Sequence, residues 1–204
     1  MNKPSPEKST VYIVDDDQSI RHAMELLMRS VGLDYEIFHS ADEFLDEHSN
    51  ERAGCLVLDI RMPGMGGLEL QQKLNESGST LPIIFITGHG DVPMAVEAMQ
   101  KGAVDFIQKP FRDQELLDRV REALQTDRER RNARAEKADI HARMQKLTNR
   151  EREVLELVVT GKPNKVIAYE LGVSQRTVEI HRARVMEKMQ AKSLADLVRM
   201  HMAS

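Results

Sequence analysis

A single cysteine, Cys55, is the only thiol in the chain. A disulfide framework and a cysteine metal centre are therefore excluded, which suits a reducing cytosol. The residue sits inside an apolar run, as a small buried hydrophobe does. No hydrophobic run approaches the length needed to span a bilayer. The opening segment, "MNKPSPEKST", lacks the apolar stretch of a secretory signal, so a cytoplasmic chain with no membrane partner is expected. The seven histidines are scattered without metal-ligand spacing.

What the chain does carry is charge, and it is unevenly divided. Residues 1–125 have a net charge of −10, and residues 126–204 a net charge of +6. An acidic half joined to a basic half predicts two domains, the second with a polyanionic partner.

In the acidic half, short apolar runs alternate with amphipathic stretches. The strands are predicted at "TVYIV" (10–14), "YEIF" (35–38), "CLVL" (55–58), "PIIFI" (82–86) and "VDFI" (104–107). Helical patterns fall between them: Ile20, Met24, Leu27, Met28 and Val31; Phe44 and Leu45; Leu68, Leu70 and Leu74; Val96 and Met99; Leu116, Leu117, Val120 and Leu124. Ser40 with Glu43 reads as a capping box, and Gly32, Gly78 and Gly102 fall at helix stops. This order predicts an α/β doubly wound, five-stranded parallel sheet.

Such a sheet gathers its chemistry at the carboxyl ends of the strands. Those ends carry Asp15, Asp16 and Asp17 after strand one, and Asp59 after strand three. Thr87 follows strand four, and Lys109 follows strand five. Three adjacent aspartates repel one another unless a cation sits among them. A hard divalent ion such as Mg²⁺ takes carboxylate oxygens readily. A carboxylate such as Asp59 can then act as nucleophile towards a phosphoryl group, with the lysine and hydroxyl neutralising charge on its oxygens. Asp17 is read as the residue that begins or caps the first helix.

The motifs "VDDD", "LVLDIRMPGMGGLEL", "ITGHGD" and "GAVDFIQKPF" occur in order. Over residues 9–125 they resemble the receiver domain of two-component response regulators, a flavodoxin-like fold. The resemblance implies that Asp59 accepts phosphate from a sensor histidine kinase. It implies Mg²⁺ (or Mn²⁺) held by Asp15, Asp16, Asp59 and the backbone carbonyl of Arg61. Lys109 would pair with the phosphate, Thr87 would hydrogen-bond it, and Phe106 would follow Thr87 inward as the switch aromatic. Phe106 departs from the Tyr often found there, so it offers no hydroxyl. The family commonly dimerises when phosphorylated through the fourth helix and fifth strand. Here Val92, Pro93, Met94, Val96 and Ala98 would supply that face, while Met99 is assigned to packing on the sheet.

Residues 126–147 contain no Gly or Pro and are rich in helix formers. They predict a solvated helical linker continuing the fifth helix. Its only apolar stripe, Ile140, Met144 and Leu147, is too short for a coiled coil.

Residues 148–204 predict an all-α, four-helix domain. Thr148 and Glu151 form a capping box. A helix with Val166, Ile167, Ala168 and Leu171 meets a turn at Gly172-Val173, and Ser174 caps a longer helix. That is a helix-turn-helix, followed by a fourth helix capped by Ser193. On the longer helix, Val178, His181, Val185 and Met189 face the core, with His181 read as a satisfied core histidine. The opposite arc carries Arg176, Ile180, Ala183 and Arg184, flanked by Thr177 and Glu179. An outward Ile180 suits a thymine methyl, and Glu179 can accept from cytosine. Arg176, Arg184 and Lys165 can reach phosphates or guanine.

Residues 146–202 resemble the LuxR-type helix-turn-helix, and the whole chain resembles the FixJ group of response regulators. The resemblance implies a transcription factor that binds double-stranded promoter DNA when phosphorylated, as a homodimer, most often activating through RNA polymerase. It implies no enzyme in the ordinary sense, only a protein that assists its own phosphoryl transfer and autodephosphorylation. A haloacid-dehalogenase-like phosphatase reading of "DDDQS" would leave Asp59 without a role. A static dimerisation platform would leave the acidic set without one. A dinucleotide-binding domain fails because no Gly-rich turn follows strand one.

Overall fold

The computed structural model describes residues 9–50, 52–88 and 92–203. The chain divides into two compact units, Met1–Arg130 and Arg131–Ser204.

In the first unit, β1 (Thr10–Val14), β2 (Asp34–Phe38), β3 (Gly54–Asp59), β4 (Ile83–Thr87) and β5 (Asp105–Gln108) form one sheet. The order is β2-β1-β3-β4-β5 and every pairing is parallel. The helices are α1 (Gln18–Ser30), α2 (Ala41–Glu47), α3 (Gly67–Glu76), α4 (Val92–Gln100) and α5 (Asp113–Gln145). Strand side chains alternate between faces, so the sheet feeds two cores. Tyr12, Val14, Leu56, Leu58 and Phe85 pack with Phe44, Leu70, Leu74 and Ala98 on one face. Val11, Ile13, Cys55, Val57, Ile84 and Ile86 pack with Met24, Met28, Leu116 and Val120 on the other. Each fully buried large side chain contributes roughly 1.5–3 kcal/mol. Burial on both faces explains why β3 and β4 read as continuous apolar runs.

The caps largely follow the sequence. Asp17 caps α1, accepting from the Ser19 backbone N–H. Ser40 caps α2, but the box is only half made: the Glu43 carboxylate takes the N–H of His39 instead of Ser40's. Gly32, Gly78 and Gly102 all have positive φ just past helix ends, a conformation that costs glycine no Cβ clash.

Two expectations for α4 fail. Ala95 and Ala98 are its buried residues, whereas Val96 is 52% and Met99 40% exposed. Met99 therefore does not pack on the sheet, and Ala98 cannot present itself to a partner.

α5 is a single helix through the predicted linker, yet that stretch is not wholly solvated. Asp127 is buried, and its carboxylate accepts the Gly54 N–H at 2.9 Å. Gly54 has φ +143°, and a Cβ there would strike the backbone of Thr10.

In the second unit, α6 (Asn149–Val159), α7 (Asn164–Glu170), α8 (Gln175–Met189) and α9 (Leu194–Ala203) enclose Val154, Leu155, Val158, Ile167, Val178, Val185, Met189 and Leu197. Ile140 and Leu147, from the end of α5 and the turn after it, are buried in the same core. The Thr148–Glu151 capping box is complete, and Ser193 accepts the N–H of Asp196.

Candidate functional site

The parallel registers align the strand ends. Val14 pairs with Leu58, Asp59 with Ile86, and Thr87 with Gln108. The residues just beyond therefore converge on one rim. Asp15, Asp16, Asp17, Asp59, Arg61, Gly88 and Lys109 line a single open cleft there.

Lys109 organises it. Its Nζ donates to Asp15 Oδ2 at 2.9 Å and to Asp59 Oδ1 at 2.6 Å. The remaining oxygens are fixed by backbone: Asp59 Oδ2 accepts the Arg61 N–H at 2.7 Å, and Asp15 Oδ1 accepts the Asp17 N–H at 2.9 Å. Asp15 and Asp59 are buried, whereas Asp16 is exposed. Burial pushes the Asp59 carboxyl above its ordinary pKa, an effect that the Lys109 hydrogen bond and charge offset only in part. Burial also opposes the Lys109 charge, but its bonds to Asp15 and Asp59 outweigh this and raise its pKa. One ammonium hydrogen-bonded to two carboxylates has its charged form favoured by both.

Behind Asp59 the chain has no spare room. Gly67 donates its N–H to the Ile60 carbonyl at 3.0 Å, and a Cβ on Gly67 would fall on the backbone carbonyl of Asp59. Thr87 is buried at the end of β4, one residue short of the cleft lining, with its hydroxyl donating to the Gly88 carbonyl at 3.3 Å. Phe106 is 41% exposed, its ring turned outward. Of the predicted dimer face, Pro93 and Val96 are exposed and Met94 is partly buried against the core. The side chain of Val92, like His89, Gly90 and Asp91 of the "ITGHGD" motif, lies outside the described residues.

The donor set Asp15, Asp16, Asp59 and the Arg61 carbonyl is all hard oxygen on one cleft, which fits a small divalent cation by chemistry. As the side chains stand, no group of three or more His, Cys, Asp or Glu among the described residues has the spacing to hold one. The ammonium of Lys109 lies between the two buried carboxylates instead.

Sequence reasoning missed one participant. Arg21, on the second turn of α1, donates from Nη1 to the Asp15 carbonyl at 2.7 Å. A six-residue reach from helix to backbone has no recognisable periodic signature.

In the second unit, α8 presents Arg176, Glu179, Ile180, Ala183 and Arg184 to solvent, with Ile180 46% exposed. Lys165 on α7 is exposed as well. Thr177 is half-buried, and its hydroxyl shares a 2.8 Å hydrogen bond with Ser174 at the helix cap. Val178, Val185 and Met189 face inward as expected. His181 is half-buried, but its Nδ1 is buried without a hydrogen-bond partner among the described residues, so it is not the satisfied core histidine expected. Arg182 Nη1 donates to Asn164 Oδ1 at 3.1 Å and ties α8 to α7. Glu151 is buried and accepts from Lys188 Nζ at 2.6 Å, tying α8 to the start of α6.

Comparison with known proteins agrees with both units. The response regulator receiver domain matches residues 11–121, and the luxR family of bacterial regulatory proteins matches residues 145–201. Nodulation protein W of Bradyrhizobium diazoefficiens is 51% identical, over 95% of this chain and 85% of its own. The transcriptional regulatory protein FixJ of Rhizobium meliloti is 48% identical over 95% of both chains. Among solved structures, the response regulator StyR has a TM-score of 0.90 at 46% identity, covering 97% of this chain and 100% of its own. Full-length FixJ from B. japonicum has a TM-score of 0.60 at 44% identity, covering 96% of this chain and 97% of its own. With an acidic cleft at the strand ends and a helix-turn-helix beyond it, the chain belongs to the FixJ-like response regulators, transcriptional regulators that join a receiver domain to a LuxR-type DNA-binding domain.

Proposed function

We propose that Asp59 is the phosphoacceptor and that its phosphorylation controls DNA binding by the second unit. The observation that carries this reading is the Lys109 ammonium, held within 2.9 Å of Asp15 and 2.6 Å of Asp59. An Asp59 oxygen attacks phosphorus, the bond from phosphorus to the kinase histidine breaks, and an acyl phosphate forms. Lys109 then faces a dianionic group and neutralises part of it. Asp15, Asp16, Asp59 and the Arg61 carbonyl would hold Mg²⁺ (or Mn²⁺), which supplies further charge neutralisation on the transferring group. Water attack on the same phosphorus returns Asp59 to its free form.

Thr87 follows as the switch. Its hydroxyl donates to the adjacent Gly88 carbonyl at 3.3 Å, and turning towards a phosphoryl oxygen would give it a charge-assisted hydrogen bond. Phe106 moves into the space this opens. The face that then pairs two copies is Pro93, Met94 and Val96 with Val92, joined by Met99 in place of Ala98. On DNA, Ile180 and Glu179 read bases, while Lys165, Arg176 and Arg184 hold phosphates or guanine, with Thr177 and Ala183 beside them. Two half-sites bound by one dimer give the selectivity that a single short helix lacks. The output is promoter activation through RNA polymerase, in the cytoplasm; no helix among the described residues is long and apolar enough to cross a membrane.

Incubation with acetyl phosphate and Mg²⁺, followed by intact mass and size measurement, tests this. Wild type gains one phosphoryl group and associates; Asp59→Asn does neither. A wild-type protein that dimerises and binds DNA equally well without phosphorylation would sink the reading.

A further inference from the structure

We infer that Arg21 is a positioning residue for the acidic turn, setting the direction of the Asp16 carboxylate and thereby the affinity of the cleft for a divalent cation. The inference rests on the metal-assisted reading above. Arg21 leaves α1 and reaches back over the turn to donate from Nη1 to the Asp15 carbonyl at 2.7 Å. That carbonyl belongs to the peptide joining Asp15 to Asp16, so the contact fixes the peptide plane from which Asp16 projects.

The rest of the turn is pinned at other points. Asp15 Oδ1 takes the Asp17 N–H and Oδ2 takes Lys109, while Asp17 Oδ1 takes the Ser19 N–H at 2.8 Å and its hydroxyl at 2.5 Å. The Asp16 side chain makes no hydrogen bond or ion pair among the described residues. Its direction is set by backbone, which Arg21 holds on one side at the Asp15 carbonyl and the Asp15 carboxylate holds on the other at the Asp17 N–H. Arg21 is not among the residues that line the cleft, so it acts on the turn through the backbone. The planar guanidinium directs its donor in a way that the ammonium of a lysine does not.

Mg²⁺ binding to the unphosphorylated full-length protein, measured by calorimetric titration, tests this together with acetyl phosphate labelling across Mg²⁺ concentration. Arg21→Gln is expected to weaken Mg²⁺ binding about tenfold, the scale of one charge-assisted hydrogen bond. Its labelling rate at saturating Mg²⁺ is expected to stay within about twofold of wild type, because a saturated cleft no longer depends on pre-set direction. Arg21→Lys, which keeps the charge, falls between. Wild-type affinity in Arg21→Gln overturns the inference. So does a variant whose saturating rate and melting temperature fall along with affinity, which marks a merely structural role. If wild type itself fails to bind Mg²⁺, the metal-assisted reading falls first and this one with it.

Discussion

Lys188 and Glu151 show how one pair governs the acid behaviour of the second unit. Glu151 is buried at the first turn of α6, and Lys188 and the Thr148 cap hold its carboxyl down to about 2, against an ordinary value of 4.5. A depressed acid pKa means that the native state favours the anion. The stabilisation is therefore fully present above the unfolded value and is lost as pH falls from there through about 2. Glu151→Gln is expected to destabilise this unit by about 2–3 kcal/mol, since it weakens a buried charge-assisted hydrogen bond. Hydrogen exchange at the amides of α6 and α8 reads both effects. Wild-type protection should decline on acidification across that window, and the variant should not show the same decline. Asp59 has the opposite sign. Its carboxyl is raised by burial, so ionisation there costs the fold.

At the scale of elements, α3 grips the end of α4. Gln71 Nε2 donates to the Ala98 carbonyl and Asn75 Nδ2 to the Lys101 carbonyl, both at 3.0 Å. Gln71 is buried, and its Oε1 has no partner among the described residues. Replacing it by Leu removes one bond and one orphan acceptor together, so stability should stay within about 1 kcal/mol of wild type. Exchange at the Lys101, Gly102 and Ala103 amides should nonetheless quicken. Unchanged exchange there would show that the amide does not hold α4. The same helix marks the limit of what was legible. The strands stood out because each is a short apolar run with turn residues on either side, and β1 falls on Thr10–Val14 as read. α4 is apolar nearly all round, so its sequence puts the larger Met99 on the sheet and Ala98 on the outer face, whereas the small Ala95 and Ala98 take the close approach and Met99 is exposed. Asp127 was hidden by its charged neighbours; only the fold brings it under Gly54. The cleft was the most legible part, since a parallel sheet places every strand's carboxyl end on one rim.

For the molecule as a whole, the split between a −10 half and a +6 half predicts a DNA affinity that falls steeply with salt. Lys165→Ala should weaken all sequences alike and reduce that slope by about one, whereas Ile180→Ala should relax base preference and leave the slope unchanged. Binding isotherms across salt concentration on matched and mismatched duplexes separate the two. The lone thiol gives the first unit a property of its own. Cys55 lies on β3, central in the sheet, fully buried, with its ionisation pushed far upward by burial. An alkylating probe has no surface to attack until that strand parts from its neighbours, so the labelling rate is a clock for the opening of the receiver, read from a single mass change.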